Sequence, residues 1–259
     1  EAIEPRARGK WQARGDGSVS PSALPLRQPA ALPTEDPMLR FAGQLFQPLL
    51  SGALYWPAER TLVVADLHLQ KLSAFARRGQ LLPPYDTGLT LARLAGDLLR
   101  TGAETVIALG DSFHRDEGSS TLIATDRAAL ESLTGRARWF WLSGNHDPAP
   151  HALGGQCIDH LAFGDLRFAH EPRHGEIGMV AGHLHPSARI YINGRSVRRP
   201  CFVHDHRILL LPAYGASTGT LNILSPAFAG LFHHQQLEIT MLGRDRLYPV
   251  SPKRLVAGA

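Results

Sequence analysis

Residues 139–147 read WFWLSGNHD: four large apolar side chains, then Ser143, then Gly144-Asn145-His146-Asp147. An apolar run that stops at glycine and polar groups reads as a buried strand, and the residues after it form a loop at the strand's carboxyl end. The same texture recurs on both sides. Residues 61–65 (TLVVA) stop at Asp66-Leu67-His68, and residues 105–109 (TVIAL) stop at Gly110-Asp111. Further on, residues 166–169 (LRFA) stop at His170, and residues 179–181 (MVA) stop at Gly182-His183-Leu184-His185. Between these runs, residues 84–101 place Leu89, Leu91, Leu94 and Leu98 on a helical spacing, and residues 121–133 read as a second helix. Strand and helix alternate early and strands dominate late. This predicts a layered α/β (α+β) domain of two sheets with helices outside. Polar groups at the ends of adjacent strands then meet in one crevice, where sheets of this type place their ligands.

Composition bounds the rest. With 259 residues, 44% of them hydrophobic, the chain can bury a sizeable core without a staple. Two cysteines, Cys157 and Cys201, are too few for a disulfide framework or a thiolate zinc site and fit a reducing compartment, so the chain is read as cytoplasmic. No apolar run approaches the roughly 20 residues of a membrane helix. The N-terminus shows no basic-then-apolar signal pattern; it starts at Glu1 rather than methionine, so a short preceding piece is expected. Residues 1–37, rich in Pro, Gly, Ala, Ser and Arg, read as a disordered or loosely attached tail, because they bury too little surface to offset their ordering entropy. Residues 38–243 read as the folded domain and residues 244–259 as an exposed C-terminal tail.

The balance of 27 Lys+Arg against 23 Asp+Glu is mildly basic, and arginine supplies nearly all the cations. Guanidinium pairs bidentately with phosphate oxygens, so the balance suits phosphate contacts without proving a nucleic-acid partner. The 13 histidines are the unusual count, histidine being the commonest transition-metal ligand. The five strand ends supply Asp66, His68, Asp111, Asn145, His146, His170, His183 and His185. These are oxygen and imidazole donors with no thiolate, a set suited to Mn, Fe, Zn, Ni or Co rather than to a closed structural zinc. Two ions roughly 3.5–4 Å apart need a bridging carboxylate, and such a pair clamps phosphorus for in-line displacement. Asp111, directly after Gly110, is placed to bridge. Each motif alone has a bland reading: an Asp-x-His is usually accidental and a single buried histidine is usually a hydrogen-bonded core residue. It is the ordered set that signals a metal site.

The ordered blocks Asp66-Leu67-His68, Gly110-Asp111, Gly144-Asn145-His146-Asp147 and Gly182-His183-Leu184-His185 resemble the calcineurin-like metallophosphoesterase superfamily. The resemblance implies a sandwich of two mixed β-sheets flanked by helices, with a binuclear metal site at the strand ends. It implies that Asp66, His68 and His185 hold one ion, that Asn145, His170 and His183 hold the other, and that Asp111 bridges. By the same resemblance His146 is catalytic without being a ligand: it contacts the phosphate and protonates the leaving oxygen. His170 departs from the family's usual context, standing in Phe168-Ala169-His170-Glu171-Pro172 rather than after a Gly- or Thr-rich strand end.

Residues 66–85 (DLHLQKLSAFARRGQLLPPY), 109–116 (LGDSFHRD) and 211–222 (LPAYGASTGTLN) resemble more narrowly the bacterial ligase-associated metallophosphoesterases, described as DNA-damage-response endonucleases. That resemblance implies a Mn-dependent phosphodiesterase on DNA, single strands preferred, hydrolysing through a metal-bridging hydroxide. It also implies a setting beside a DNA ligase, a helicase and a nuclease. Arg77 and Arg78, with Lys71, follow the first ligand pair and are candidate phosphate contacts; a solvated helix face explains them equally well. His114, three residues past Asp111, is a candidate near the leaving group, with a core role as its alternative. Tyr214, Ser217 and Thr218 sit in a Gly-rich loop that lines the cleft or merely turns the chain. Two other readings stay open: a phosphomonoesterase or small cyclic-nucleotide phosphodiesterase using the same two-metal core, and a non-catalytic scaffold. The scaffold is disfavoured because His146 and all seven presumed ligands are present.

Overall fold

The structure is a computed structural model, described here for residues 11–13, 37–76 and 85–257. In chain order the strands are β1 (Trp11–Ala13), β2 (Leu39–Phe41), β3 (Gln44–Pro48), β4 (Leu54–Trp56), β5 (Thr61–Val64), β6 (Thr105–Ala108), β7 (Arg138–Leu142) and β8 (Gln156–Ile158). They continue as β9 (Leu161–Phe163), β10 (Leu166–Phe168), β11 (Met179–Ala181), β12 (Pro186–Ile192), β13 (Arg195–His204), β14 (Ile208–Leu210), β15 (Leu221–Asn222), β16 (Glu238–Leu242) and β17 (Leu247–Val250). The α-helices are α1 (Lys71–Ala76), α2 (Asp86–Thr101) and α3 (Ala124–Thr134).

Strands β2 to β8 form one sheet in sequence order; β2 to β5 are antiparallel neighbours, whereas β5, β6, β7 and β8 run parallel. The second sheet has the order β1-β9-β10-β11-β14-β13-β12-β15, with β16 also on β13 and β17 on β16. Within it β10, β11 and β14 are parallel. The two sheets pack face to face, the mixed sandwich expected from the strand pattern.

Alternation along the strands explains the layers. Val63, Ile107 and Phe140 point into the inter-sheet core, where Trp56, Phe168, Phe202 and Leu209 meet them. Their neighbours Leu62, Val64, Val106, Ala108, Trp139 and Trp141 point the other way, onto Leu91 and Leu94 of α2 and Leu130 and Leu133 of α3. Strands buried on both faces are uniformly apolar, which is why these runs lack a polar face. The outer face of the second sheet, with Val203, Ile208 and Leu210, is covered by Phe228, Leu231 and Phe232. Helix α2 turns a mixed face inward: Thr87, Thr90, Leu91, Leu94, Asp97 and Thr101 are buried, while Leu89 is exposed despite its place in the leucine spacing.

Two expectations for the chain ends need revision. Residues 244–259 are not simply a tail: β17 pairs with β16 from Ile239↔Val250 to Leu242↔Leu247, and Leu247 and Val250 are buried. Pro249 fits within this strand because β17 pairs on one side only, and an edge strand tolerates a residue that cannot donate. At the other end Trp11–Ala13 is a strand paired antiparallel with β9. The remainder of the expected N-terminal tail, 1–10 and 14–36, lies outside the described residues.

Candidate metal centre

The parallel strands of both sheets end at one edge of the sandwich. There β5 delivers Asp66 and His68, β6 delivers Asp111, β7 delivers Asn145 and His146, β10 delivers His170, and β11 delivers His183 and His185. All eight residues singled out in the sequence come together. Asp66, His68, Asp111 and His170 are buried, His183 and His185 half-buried, and Asn145 and His146 exposed. The constellation therefore has a buried floor and an open mouth.

Backbone geometry marks the same residues. Of the nine non-glycine residues with positive φ among those described, five are Asp66, His68, Asp111, His183 and His185. Left-handed backbone is unfavourable for side chains with a Cβ, and it persists only where the surroundings over-determine it, typically at functional sites. The glycines of the motifs make the close approach possible. A Cβ on Gly144 would lie 2.2 Å from the Asp111 backbone nitrogen, and one on Gly110 would lie 2.7 Å from His170.

On one side of the site, His68 Nε2 and His185 Nε2 are 3.3 Å apart, and His185 Nε2 is 3.2 Å from Asp66 Oδ1. The His183 backbone N–H donates to the Asp66 carboxylate, fixing its orientation. On the other side, Asn145 Oδ1 lies 2.9 Å from His170 Nε2 and 3.0 Å from His183 Nδ1, and those two nitrogens are 3.1 Å apart. Asp111 stands between. Its Oδ1 is 3.4 Å from His170 Nε2, and its Oδ2 is 3.7 Å from His68 Nε2 and 3.9 Å from His146 Nε2. The His146 backbone N–H donates to Oδ1 at 2.9 Å.

This donor set fits divalent cations. The His170 Nδ1–H donates to the Leu109 carbonyl at 2.8 Å, which leaves the Nε2 lone pair bare toward Asn145 and His183. Burial, followed by the neighbouring His185, His146, Lys71 and His114, lowers His68 to about 2, so its imidazole is neutral and able to ligate. Burial and then His170 also lower His183. His185 differs: burial opposes protonation, yet the Asp66 carboxylate outweighs it and raises the pKa. Three groups of His and Asp side chains each bring one donor atom per residue within 4.8 Å of one another: Asp66/His68/His185, Asp111/His170/His183 and His68/Asp111/His146. The third was not foreseen. It places His146 where a ligand role competes with the role of acid beside the phosphate.

His114 also reaches the site, its ring stacked on His146. Tyr214 does not line the cleft: it is buried, and its hydroxyl donates to Asp97 Oδ2 at 2.9 Å. The loop it belongs to still borders the site, since the Tyr214 and Gly215 N–H groups donate to the Ala65 and Asp66 carbonyls. Ser217 and Thr218 are half-buried in that loop. Arg77 and Arg78 lie outside the described residues. No described helix is long and apolar enough to cross a membrane.

Comparison with known proteins agrees with this geometry. No curated protein matches the chain. Among solved structures, 22 chains match. One is the crystal structure of a Pseudomonas putida nuclease named MPE, 31% identical, superposing with a TM-score of 0.65 over 83% of this chain and 99% of that one. The sequence pattern of the calcineurin-like phosphoesterases matches residues 59–224, from the turn before β5 to two residues past β15, and so spans every donor described above. The chain belongs to the calcineurin-like phosphoesterase family.

Proposed function

We propose that the chain is an endonuclease hydrolysing phosphodiester bonds of DNA, single strands in preference to duplex, with two divalent ions of which manganese is the best. The observation that carries the reading is Asp111, whose two carboxylate oxygens face two different imidazole groups, 3.4 Å from His170 and 3.7 Å from His68. In this reading Asp66, His68 and His185 hold one ion, Asn145, His170 and His183 hold the second, and Asp111 serves both. A divalent pair supplies charge neutralisation for the phosphate and lowers the pKa of water from 15.7 toward roughly 7.

The chain's own groups do the rest. The hydrogen bonds from the His183 and His146 backbone N–H groups lock Asp66 and Asp111, so the donors need no reorganisation when substrate arrives. The exposed His146 faces the incoming phosphate and gives a proton to the departing oxygen. The open mouth, with Asn145 and His146 at its rim, suits a polymer that passes across the site better than an enclosed small ligand. The similar Pseudomonas putida protein is a nuclease, which favours a nucleic-acid strand over a phosphomonoester or a cyclic nucleotide. A repair setting beside a ligase, a helicase and a nuclease belongs to the same reading.

The test is a panel of metals against substrates: Mn, Mg, Zn, Ni and Co, each with single-stranded DNA, duplex DNA, bis(p-nitrophenyl) phosphate and p-nitrophenyl phosphate. Cleavage of the diester and of single-stranded DNA with Mn is expected, well above the monoester. Turnover of the monoester alone would replace this reading with a phosphomonoesterase.

A further inference from the structure

Strands β12 and β13 make a two-stranded ribbon that begins at Pro186, directly after the metal-centre residue His185. Its turn is Asn193-Gly194, both at positive φ, the pairing that a tight two-residue hairpin requires. Residues 186–200 contain Arg189, Arg195, Arg198 and Arg199 and no acidic residue. The whole chain carries 27 Lys+Arg against 23 Asp+Glu, so without these four arginines the remaining cations and acids are equal in number. The net positive charge of the protein is thus the charge of one hairpin.

The register makes this arrangement unfavourable by itself. Arg189 stands directly opposite Arg198 across the ribbon, and like charges in that relation destabilise a sheet. Among the described residues none of the four forms an ion pair with a carboxylate, and Arg189 Nε is buried without a hydrogen-bond partner. More positive charge is added alongside. Leu255 bridges to Ile190, and the Val256 N–H donates to the Arg189 carbonyl, which brings the exposed Lys253 and Arg254 next to β12. Tyr191, 58% exposed, offers an aromatic face on the same side as Arg189 and Arg198.

The ribbon is also tied to the catalytic edge. Arg198 donates to Ser187 Oγ and to Thr220, and the neighbouring Leu221 N–H donates to the His185 carbonyl at 2.9 Å. A strand lying along the ribbon would therefore arrive at the metal centre. Arginines follow a phosphate backbone, and an exposed aromatic ring stacks on an unpaired base.

We infer that the β12–β13 ribbon, with Lys253 and Arg254 beside it, is the arm that holds the backbone of single-stranded DNA leading into the metal centre. This deepens the endonuclease reading and rests on it. The triple variant R189Q/K253Q/R254Q tests it through the arginine that shares the face of Tyr191 and the two cations beside β12, while keeping Arg198, which is bonded to Ser187 and Thr220. Steady-state kinetics with Mn, on a 20-nucleotide single strand and on bis(p-nitrophenyl) phosphate, are measured over a range of salt concentrations.

The ratio of kcat/KM for the oligonucleotide to that for the small diester should fall about tenfold. The slope of log KM against log salt should fall by about 2, from about 0.7 for each of three lost phosphate contacts on a single strand. The variant R189K/R254K, which keeps every charge, should retain most of the slope. An unchanged ratio and slope, with wild-type protein cleaving the oligonucleotide, would overturn the ribbon assignment and leave the endonuclease reading intact. Equal losses on both substrates would show a structural role and also overturn it. Wild-type protein that cleaves only the small diester would remove the DNA reading itself, and this inference with it.

Discussion

The imidazole of His114 lies nearly parallel to that of His146, with ring centroids 5.4 Å apart and planes 20° from each other. His114 is also 5.8 Å from the His68 ring, edge to face. It thus backs the exposed histidine at the mouth against the buried one on the floor. His114→Ala should leave both ions in place by elemental analysis and lower turnover about tenfold to a hundredfold, the cost of misplacing a reacting group. His114→Phe keeps a ring to stack on and should recover part of the loss.

His146 itself decides between two roles, since its Nε2 is 3.9 Å from Asp111 Oδ2 and the same residue stands exposed at the mouth of the site. His146→Ala is expected to keep two ions and to cut DNA turnover by about 10²–10⁴, the usual worth of general acid catalysis. The loss on bis(p-nitrophenyl) phosphate should be smaller, because nitrophenolate leaves with little need of a proton. Loss of one ion from the variant would make His146 a ligand instead.

Asp111→Ala should abolish activity and bring the metal content from about two ions to less than one, a stoichiometry readable by elemental analysis after dialysis against Mn. His183→Ala, which removes a donor from one side only, should retain about one ion.

Gly144→Ala is expected to act like a ligand mutation although glycine donates nothing. The added Cβ would meet Asp111 Oδ1 at 2.3 Å and Asp147 Oδ1 at 2.6 Å, so the carboxylate between the two imidazole groups must move. Metal titration should show weakened binding at both positions, while far-ultraviolet circular dichroism stays near wild type.

Away from the centre, Asp205 organises the β13–β14 turn by accepting the N–H groups of Arg207, Ile208 and His233 at 2.8–2.9 Å. Burial opposes its charge, but these three donors and the Arg207 guanidinium hold the carboxyl below its usual range. A carboxylate with a lowered folded pKa stabilises above its unfolded value of about 3.9 and loses that contribution as pH falls through the folded value. Asp205→Ala should cost about 3 kcal/mol at neutral pH, from hydrogen bonds to a charged group, and chemical denaturation should show the gap to wild type narrowing in acid.

The strand ends and the eight donors were legible because strand, glycine and ligand are local in sequence: TLVVA followed by Asp66, or WFWL followed by Gly144-Asn145, carries its meaning within nine residues. What escaped depends on distant partners. Tyr214 reads as a loop residue beside serines and threonines, yet its hydroxyl is taken by Asp97, 117 positions earlier. Leu89 shares the leucine spacing of α2, but the inner face of that helix also takes Thr87, Thr90 and Asp97, and Leu89 is turned outward. The Asn-Gly turn and the basic residues of the β12–β13 ribbon are local in sequence, but their register, which sets Arg189 against Arg198, emerges only once the strands are paired.

The left-handed backbone at Asp66, His68, Asp111, His183 and His185 has a bearing on how this protein can be made more robust. Glycine adopts such a conformation freely, and each strained residue costs on the order of 1–3 kcal/mol. A screen for heat resistance that ignored activity would therefore drift toward glycine at these five places and return sturdier chains without chemistry. Thermal tolerance in this fold is better sought in surface loops and helix α3, where no donor is bent to meet an ion.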